Sequence, residues 1–218
     1  MKLGDPKNVF WEALLLTVVV FFFGLLIGYA VEESRFTTVD RYYAQSEISL
    51  MDIFTLNSFT IDQNSSCDVL VQTNLDFADR IYKEAQILDS YEQAGKISTD
   101  LELAHKKYDL LRTILWVNSI KVREHCGNEL NSVVYLYQQN TPDLAQKATQ
   151  NVWSKVLFDF KQKNGGKIVL IPISTDSNLI SLRPLIDKYH VERFPTVIIN
   201  DQVISQLSSV EELDKYLT

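Results

Sequence analysis

The feature that most constrains the fold of this chain is an uncharged stretch of nineteen residues, Ala13 to Val31, close to the start of the sequence. A helix that crosses the hydrocarbon core of a bilayer needs about 20 predominantly apolar residues, so this stretch is long enough to span a membrane. Trp11 and Tyr29 lie near its two ends, and aromatic residues are favoured at the membrane–water interface. The sequence therefore predicts a single transmembrane helix over residues 8–31, after a short tail over residues 1–7.

A cleaved signal peptide is the competing interpretation of the same stretch. Lys2 and Lys7 form a basic beginning, and Gly28-Tyr29-Ala30 is acceptable as a small-x-small cleavage site. The apolar part of a signal peptide is usually only ~7–15 residues long, so the length of the stretch favours an anchor.

Two glycines within the span, Gly24 and Gly28, form a small-xxx-small pair. Such a pair lets a second helix approach closely, which would make another membrane protein a partner. The alternative is that the two glycines are incidental, because glycine is common in membrane-spanning helices.

Residues 32–127 predict a helical region, because they contain neither a proline nor a strand-like run. Apolar residues from Phe36 to Ile61 favour one helix. Two further apolar stripes predict two antiparallel helices, joined at residues 94–98 and packed against each other. The first stripe consists of Leu70, Thr73, Phe77, Ile81, Leu88 and Tyr91, and the second of Leu101, Ala104, Tyr108, Leu111, Leu115, Asn118 and Val122.

The chain contains two cysteines, Cys67 and Cys126, and the helical hairpin gives them a role. Facing residues of an antiparallel hairpin have numbers that sum to a constant, and this pair is centred inside the turn over residues 94–98. The two cysteines are expected to meet at the open end of hairpin 67–126, either as a disulfide that closes a long loop or as two unpaired buried thiols. A disulfide persists in oxidising compartments and would place this region outside the cytoplasm.

The orientation in the membrane does not follow from the flanking charges, because two basic residues lie close to the span on each side. The expected disulfide and the N-glycosylation pattern Asn64-Ser65-Ser66 decide it instead. They predict a single-pass membrane protein with a cytoplasmic N-terminus and an extracytoplasmic C-terminal domain.

Residues 128–218 predict an alternation of strands and helices. Ser132–Tyr137 and Lys167–Ile173 are β-branched or apolar runs that predict two strands, with a helix over Pro142–Lys163 between them. The apolar positions of this helix are Leu144, Ala148, Val152, Val156 and Phe160.

A second helical segment ends at His190, where the histidine is expected to help end the helix. A Phe-Pro-Thr step follows, and Val197–Ile199 predicts a third strand. Gln202–Leu207 predicts its hairpin partner, and a last helix, capped by Ser208-Ser209, ends the chain.

This order, β-α-β-α-β-β-α with the step Phe194-Pro195-Thr196 before the third strand, resembles the thioredoxin-like superfamily. In that family a cis-proline precedes the third strand, so the resemblance implies a cis peptide bond before Pro195. Redox-active members open the first helix with a Cys-x-x-Cys pair, because a helix N-terminus lowers the pKa of the attacking thiol. This chain has Gln138 to Asp143 at that place and no cysteine after Cys126. The resemblance implies an α/β fold of a redox-inactive member, preceded by a transmembrane helix and a helical hairpin.

Domains of this family pair an extended peptide with the backbone just before the cis-proline, a form of strand addition. By resemblance, that surface would be formed here by Arg193, Phe194 and Pro195 with Gln138, Gln139, Asn140 and Thr141. This implies a non-catalytic binding or accessory subunit, whose partner is another membrane protein or an extended peptide. A thioredoxin-like subunit of a membrane-bound oligosaccharyltransferase is a similar arrangement, although those subunits carry several spans. If Phe194 is exposed, Phe194→Asp should weaken the partner interaction at little cost to folding.

Two other functions stay open, a thiol-disulfide oxidoreductase that uses Cys67 and Cys126 as an unusual pair and a purely structural scaffold. The formal net charge of −7 argues against nucleic-acid binding, because no basic stripe is present to replace counterions. The sequence contains no glycine-rich phosphate loop, and its three histidines are dispersed. Neither a metal nor a small-molecule cofactor is therefore expected.

Overall fold

The computed structural model describes residues 10–31, 47–48, 51, 66–93, 99–127 and 129–217. These residues belong to two compact units, within residues 1–47 and 48–218. Four sequence predictions lie wholly or mostly outside the described residues: the tail over residues 1–7, the helix from Phe36 to Ile61, the hairpin turn over residues 94–98, and the glycosylation pattern at Asn64.

The first unit contains helix α1, Phe10–Val31, whose 22 residues are long and apolar enough to cross a membrane. The hydroxyl of Thr17 donates a hydrogen bond of 2.9 Å to the Ala13 carbonyl, which satisfies this polar group within the helix. A Cβ atom built on Gly24 or Gly28 would meet no heavy atom of the described residues within 4 Å. Both glycines are therefore open to the approach of a second helix.

The second unit contains the predicted helical hairpin, formed by α2, Cys67–Gln93, and α3, Thr99–Cys126. Cys67 and Cys126 are bridged, with their Cα atoms 5.5 Å apart, which confirms the predicted pairing. The two predicted stripes are also largely confirmed, because their members Leu70, Phe77, Ile81, Leu88, Tyr108, Leu111, Leu115, Asn118 and Val122 are buried. Full burial of one large apolar side chain stabilises a fold by roughly 1.5–3 kcal/mol, so these stripes are a main source of hairpin stability.

Four strands form one mixed sheet: β1, Asn131–Tyr137; β2, Ile168–Ser174; β3, Thr196–Ile199; and β4, Gln202–Ile204. Their order across the sheet is β2-β1-β3-β4, with β1 parallel to β2 and antiparallel to β3. The inner strands β1 and β3 are buried on both faces, which explains why their sequences are mostly apolar without alternation. Strand β4 ends at Ile204 and is shorter than the predicted run to Leu207.

Helices cover both faces of this sheet and create two hydrophobic cores. On one face, α4, Leu144–Asn164, and α6, Val210–Leu213, pack with Val133 and Tyr135 of β1. On the other face, the hairpin and α5, Arg183–Lys188, pack with Val134 and Leu136. The hairpin thus shares a core with the sheet, and the boundary predicted between residues 127 and 128 does not separate two cores.

The buried face of α4 differs from the predicted one. Leu144 and Val152 are 82% and 46% exposed, and Ala148 is exposed as well, so this part of the predicted stripe is wrong. The buried residues are Gln150, Trp153, Leu157 and Phe160. Both sets have helical spacing, but the second contains two large aromatic side chains and removes more apolar area from water.

His190 ends α5 as predicted. Its φ angle is 50°, its N–H donates to the Asp187 carbonyl at 3.2 Å, and the N–H of Val191 donates to the Ile186 carbonyl at 3.1 Å. These are the two hydrogen bonds of a Schellman helix ending, and they satisfy carbonyls that the helix leaves open.

Candidate functional site

The loop that follows β1, residues 138–143, is fixed to α4 by glutamine side chains. Gln150 accepts a hydrogen bond of 2.9 Å from the N–H of Gln138 and donates one of 2.9 Å to its carbonyl. Gln146 donates to the side-chain oxygen of Gln138 at 2.8 Å and accepts from the Thr141 hydroxyl at 3.0 Å. Asp143 caps the start of α4, with its carboxylate accepting from the N–H of Ala145 at 2.8 Å. This loop is therefore ordered before any partner arrives, which lowers the entropy cost of binding.

Asp176, in the loop after β2, holds the other side of the β1 loop. Its carboxylate accepts from the N–H of Gln139 at 3.2 Å, from the N–H of Asn140 at 2.7 Å, and from the Ser174 hydroxyl. Partial burial opposes the charged form, but these hydrogen bonds outweigh it and keep the pKa of Asp176 below its ordinary value. Gln139 and Asn140 are exposed, so their side chains face solvent from a fixed backbone.

The segment Arg193–Pro195 lies beside this loop, because the next residue, Thr196, pairs with Leu136 at the end of β1. The Phe194–Pro195 peptide bond is cis, as predicted. The Thr196 hydroxyl donates to the Arg193 carbonyl at 2.6 Å. Arg193 is exposed and Pro195 is buried.

Phe194 is not exposed, so the condition under which Phe194→Asp would cost little folding stability is not met. Its side chain is half-buried and packs against the core between the sheet and the hairpin. A carboxylate at this position would be placed against apolar groups, so Phe194→Asp should also destabilise the fold. Arg193 is the better position at which to test binding.

A buried carboxylate of the hairpin reaches the end of β2. Asp109 of α3 is 3% exposed, and its Oδ1 accepts from the N–H of Ser174 at 3.1 Å. Burial raises the pKa of Asp109 to about 6, although the Ser174 hydrogen bond and Arg112 both favour the charged form. Nη1 of Arg112 lies 3.9 Å from Oδ1, and Nη2 donates to the Tyr108 hydroxyl at 2.5 Å.

A polar cavity of about 130 Å³ lies between the β1 loop and the first turns of α3. Its walls are Glu102, His105, Lys106, Asp109, Gln139, Asn140, Ser174, Asp176, Ser177 and Asn178. Within the described residues, no group of three or more His, Cys, Asp or Glu side chains could hold a metal ion. The cavity offers hydrogen-bonding groups to a polar ligand.

The disulfide lies at the end of the sheet opposite to this loop. Cys126 is near Asn131, where β1 begins, whereas the loop follows Tyr137, where β1 ends. At about 3.3 Å per residue, these two ends are about 20 Å apart. Cys126 is half-buried and packs against the core, so the disulfide ties the two hairpin helices together away from the loop.

Sequence reasoning identified the loop but missed the side chains that hold it. Gln150, Asp176 and Asp109 act across 12, 36 and 65 residues of sequence, respectively. A signal existed for Gln150, which shares helical spacing with Trp153 and so places a polar side chain on an apolar face. No comparable local signal marks the two aspartates.

No protein-family model and no curated protein matches this chain. Its function has to be inferred from its own geometry.

Proposed function

We propose that this protein is a membrane-anchored, redox-inactive, thioredoxin-like binding or accessory subunit. Its partner is a protein or an extended peptide, bound at the surface formed by Arg193–Pro195 and the loop Gln138–Thr141. The β-α-β-α-β-β-α order over residues 131–217, which is the order that the resemblance implies, supports the thioredoxin-like part of this proposal.

One observation carries the binding proposal, the pairing of Leu136 with Thr196. Because of this pairing, the β1 loop and the segment Arg193–Pro195 lie side by side at one end of the sheet. Gln139, Asn140 and Arg193 are exposed there. Gln150 and Asp176 hold the backbone of the β1 loop, and the Thr196 hydroxyl donates to the Arg193 carbonyl. A pre-ordered, polar and exposed surface of this kind favours recognition of an extended backbone.

Anchoring by α1 and an extracytoplasmic location of the second unit are supported by two features. The helix Phe10–Val31 is apolar throughout most of its length, and none of its residues is buried against the described part of the chain. The Cys67–Cys126 disulfide is of a kind that persists in oxidising compartments. In sealed vesicles of known orientation, protease should degrade the second unit only from the extracytoplasmic side, and degradation from the cytoplasmic side would contradict the topology.

The oxidoreductase alternative is disfavoured by the place of the disulfide. Cys67 is the first residue of α2, where the helix dipole favours a thiolate, but Cys126 is the last residue of α3, where the negative end of the dipole opposes one. The disulfide also lies at the opposite end of β1 from the loop that would hold the family's active site, and β1 is about 20 Å long. Turnover in an insulin reduction assay that disappears in Cys67→Ser/Cys126→Ser would favour the enzyme over the binding subunit.

Site-specific crosslinking in native membranes tests the binding surface. A photoreactive amino acid is introduced at Arg193, at Gln139 or, as a control, at exposed Lys215 in the full chain. Lys215 adjoins Tyr216, whose carbonyl accepts from Asn200 at the far end of β3. We expect one partner to be crosslinked from Arg193 and from Gln139 but not from Lys215. The absence of a shared adduct would contradict the binding surface and favour a scaffold role.

A further inference from the structure

On the outer edge of β2, backbone groups at both ends are hydrogen-bonded to side chains, whereas those in the middle have no hydrogen bond from the described residues. The N–H of Thr175 donates to the Tyr137 carbonyl at 2.8 Å. This hydrogen bond shows which backbone N–H and C=O groups of β2 point towards β1. Backbone groups alternate in direction along a parallel strand, so Ile168, Leu170, Pro172 and Ser174 direct theirs away from β1.

Side chains from the flanking helices satisfy the ends of this edge. Nζ of Lys161 donates to the Ile168 carbonyl at 2.7 Å, and Asp109 accepts from the N–H of Ser174 at 3.1 Å. Pro172 has no N–H, as is usual for a proline on an edge strand. Between these ends, no hydrogen bond from the described part of the chain satisfies the outward N–H and C=O of Leu170.

Two cavities meet over this open middle, with volumes of about 390 Å³ and 270 Å³. The larger lies on the α4 side of the sheet, with Tyr135, Tyr137 and Lys147 in its walls. The smaller lies on the hairpin side, where α2 and α3 line it with Ala78, Ile81, Tyr82, Ala85 and Leu115. Both are lined by Arg112, Phe158, Leu170 and Pro172, and together they form what we call the β2-edge cleft.

The charge of the β2-edge cleft is opposite to that of the chain. Among the described residues, its walls contain Arg112, Lys147 and Lys161 but only one carboxylate, Asp79, and Oδ1 of Asp109 lies 3.9 Å from Nη1 of Arg112. The described residues that line the larger cavity include two of these cations and no carboxylate, in a chain whose net charge is −7. The smaller cavity is mainly apolar, and the aromatic side chains Tyr82 and Phe158 are 56% and 50% exposed at the cleft.

We propose that the β2-edge cleft binds a short extended peptide with alternating acidic and apolar side chains. Successive side chains of a strand point to opposite faces of a sheet. A peptide added to β2 would therefore direct its acidic side chains towards Arg112 and Lys147 and its apolar side chains towards Tyr82 and Leu115. Its backbone would pair with Leu170, the position that the rest of the described chain leaves open. Because Lys161 and Asp109 occupy the ends of the edge, the added strand is only a few residues long. The β2-edge cleft shares Gln138 and Gln139 with the surface of the proposed function but does not include Arg193, and this proposal does not rest on binding at Arg193.

A defined peptide tests the β2-edge cleft. The fluorescently labelled probe Val-Glu-Val-Glu-Val, blocked at both ends, is titrated into the full chain in mild detergent, and its anisotropy gives a Kd. We expect Lys147→Glu to weaken binding by roughly three- to tenfold, because it replaces an attraction with a repulsion at an exposed site. The matched control is Lys155→Glu, an exposed lysine on the same helix that does not line either cavity. It should change Kd by less than about twofold, as expected for a screened charge outside the site.

Two further measurements locate the peptide. The backbone amide of Leu170 should shift in the nitrogen–proton spectrum, and it should become protected from hydrogen exchange. The same probe with Gln in place of Glu should bind at least about threefold more weakly, because the cations then have no charged partner.

Three results would overturn the proposal. They are equal affinities for the Glu and Gln probes, equal effects of Lys147→Glu and Lys155→Glu, and an unshifted Leu170 amide at saturation. Competition by free glutarate at the concentration of the probe would replace the peptide with a small dicarboxylate and would also overturn it. Crosslinking from Arg193, which lines neither cavity, can fail or succeed independently of all of these results.

Discussion

Asp109→Asn should change how the stability of this protein depends on pH. Burial raises the pKa of Asp109 to about 6, from 3.8 for an ordinary aspartate. The folded chain therefore binds this proton more tightly than the unfolded chain does. The resulting stabilisation is fully present below about pH 4 and is lost as the pH rises through about 6. The difference between the two pKa values corresponds to about 3 kcal/mol in total.

Asn keeps an oxygen that can accept from the N–H of Ser174 but does not titrate, so it isolates this effect. We expect the free energy of unfolding of the wild type, minus that of Asp109→Asn, to fall by about 2 kcal/mol between about pH 4.5 and about pH 8. Guanidinium titrations of the full chain in mild detergent measure it, with the fluorescence of buried Trp116 and Trp153 as the signal.

Subtracting the free energy of unfolding of Asp109→Asn from that of the wild type at each pH removes the contributions of other carboxylates. Asp176 and Asp201 both have lowered pKa values and add stability as the pH rises, which is opposite in sign to Asp109. A difference curve for Asp109→Asn that is flat, or that rises with pH, would refute the assignment of a buried carboxyl group with a raised pKa.

Three further substitutions test other parts of the fold. Cys67→Ser/Cys126→Ser should lower the free energy of unfolding by about 4 kcal/mol, because the disulfide closes a loop across 59 residues of sequence; unchanged stability in denaturant titrations would contradict this. Asp176→Ala should accelerate hydrogen exchange of the two loop amides that donate to its carboxylate, whereas amides of the inner strands should be unaffected. Equal protection of the loop amides in the variant would argue that Asp176 does not hold the loop. Ser209→Ala should cost about 1 kcal/mol, since it removes the capping box of α6, and Ser208→Ala should cost less in the same thermal unfolding assay.

Local patterns in the sequence were sufficient for the individual elements. The uncharged run predicts α1, the two apolar stripes predict α2 and α3, and the β-branched runs predict β1 and β3. The register of Cys67 with Cys126 also followed, because the two stripes fix where the hairpin turns. These predictions succeeded since each depends on spacing within one segment or within one hairpin, where periodicity alone decides which side chains face each other.

The α4 stripe was not predictable in the same way. Leu144 and Val152 have the spacing of a buried face, and so do Trp153 and Phe160, and the sequence of the helix does not say which face meets a sheet. That choice is made by the total apolar area that the sheet and α4 bury together.

The sequence by itself determined an apolar stretch, a helical hairpin whose two cysteines face each other and the order of strands and helices, because these follow from composition and from periodicity. Tertiary structure decided that the hairpin covers one face of the sheet, that Asp109 reaches Ser174 across 65 residues, and that Asp176 holds the loop after β1. A polar side chain that will be buried looks the same in a sequence as one that will face solvent. Its partner is set by which elements pack together, and so the polar groups of the site and the open edge of β2 became visible only in the folded chain.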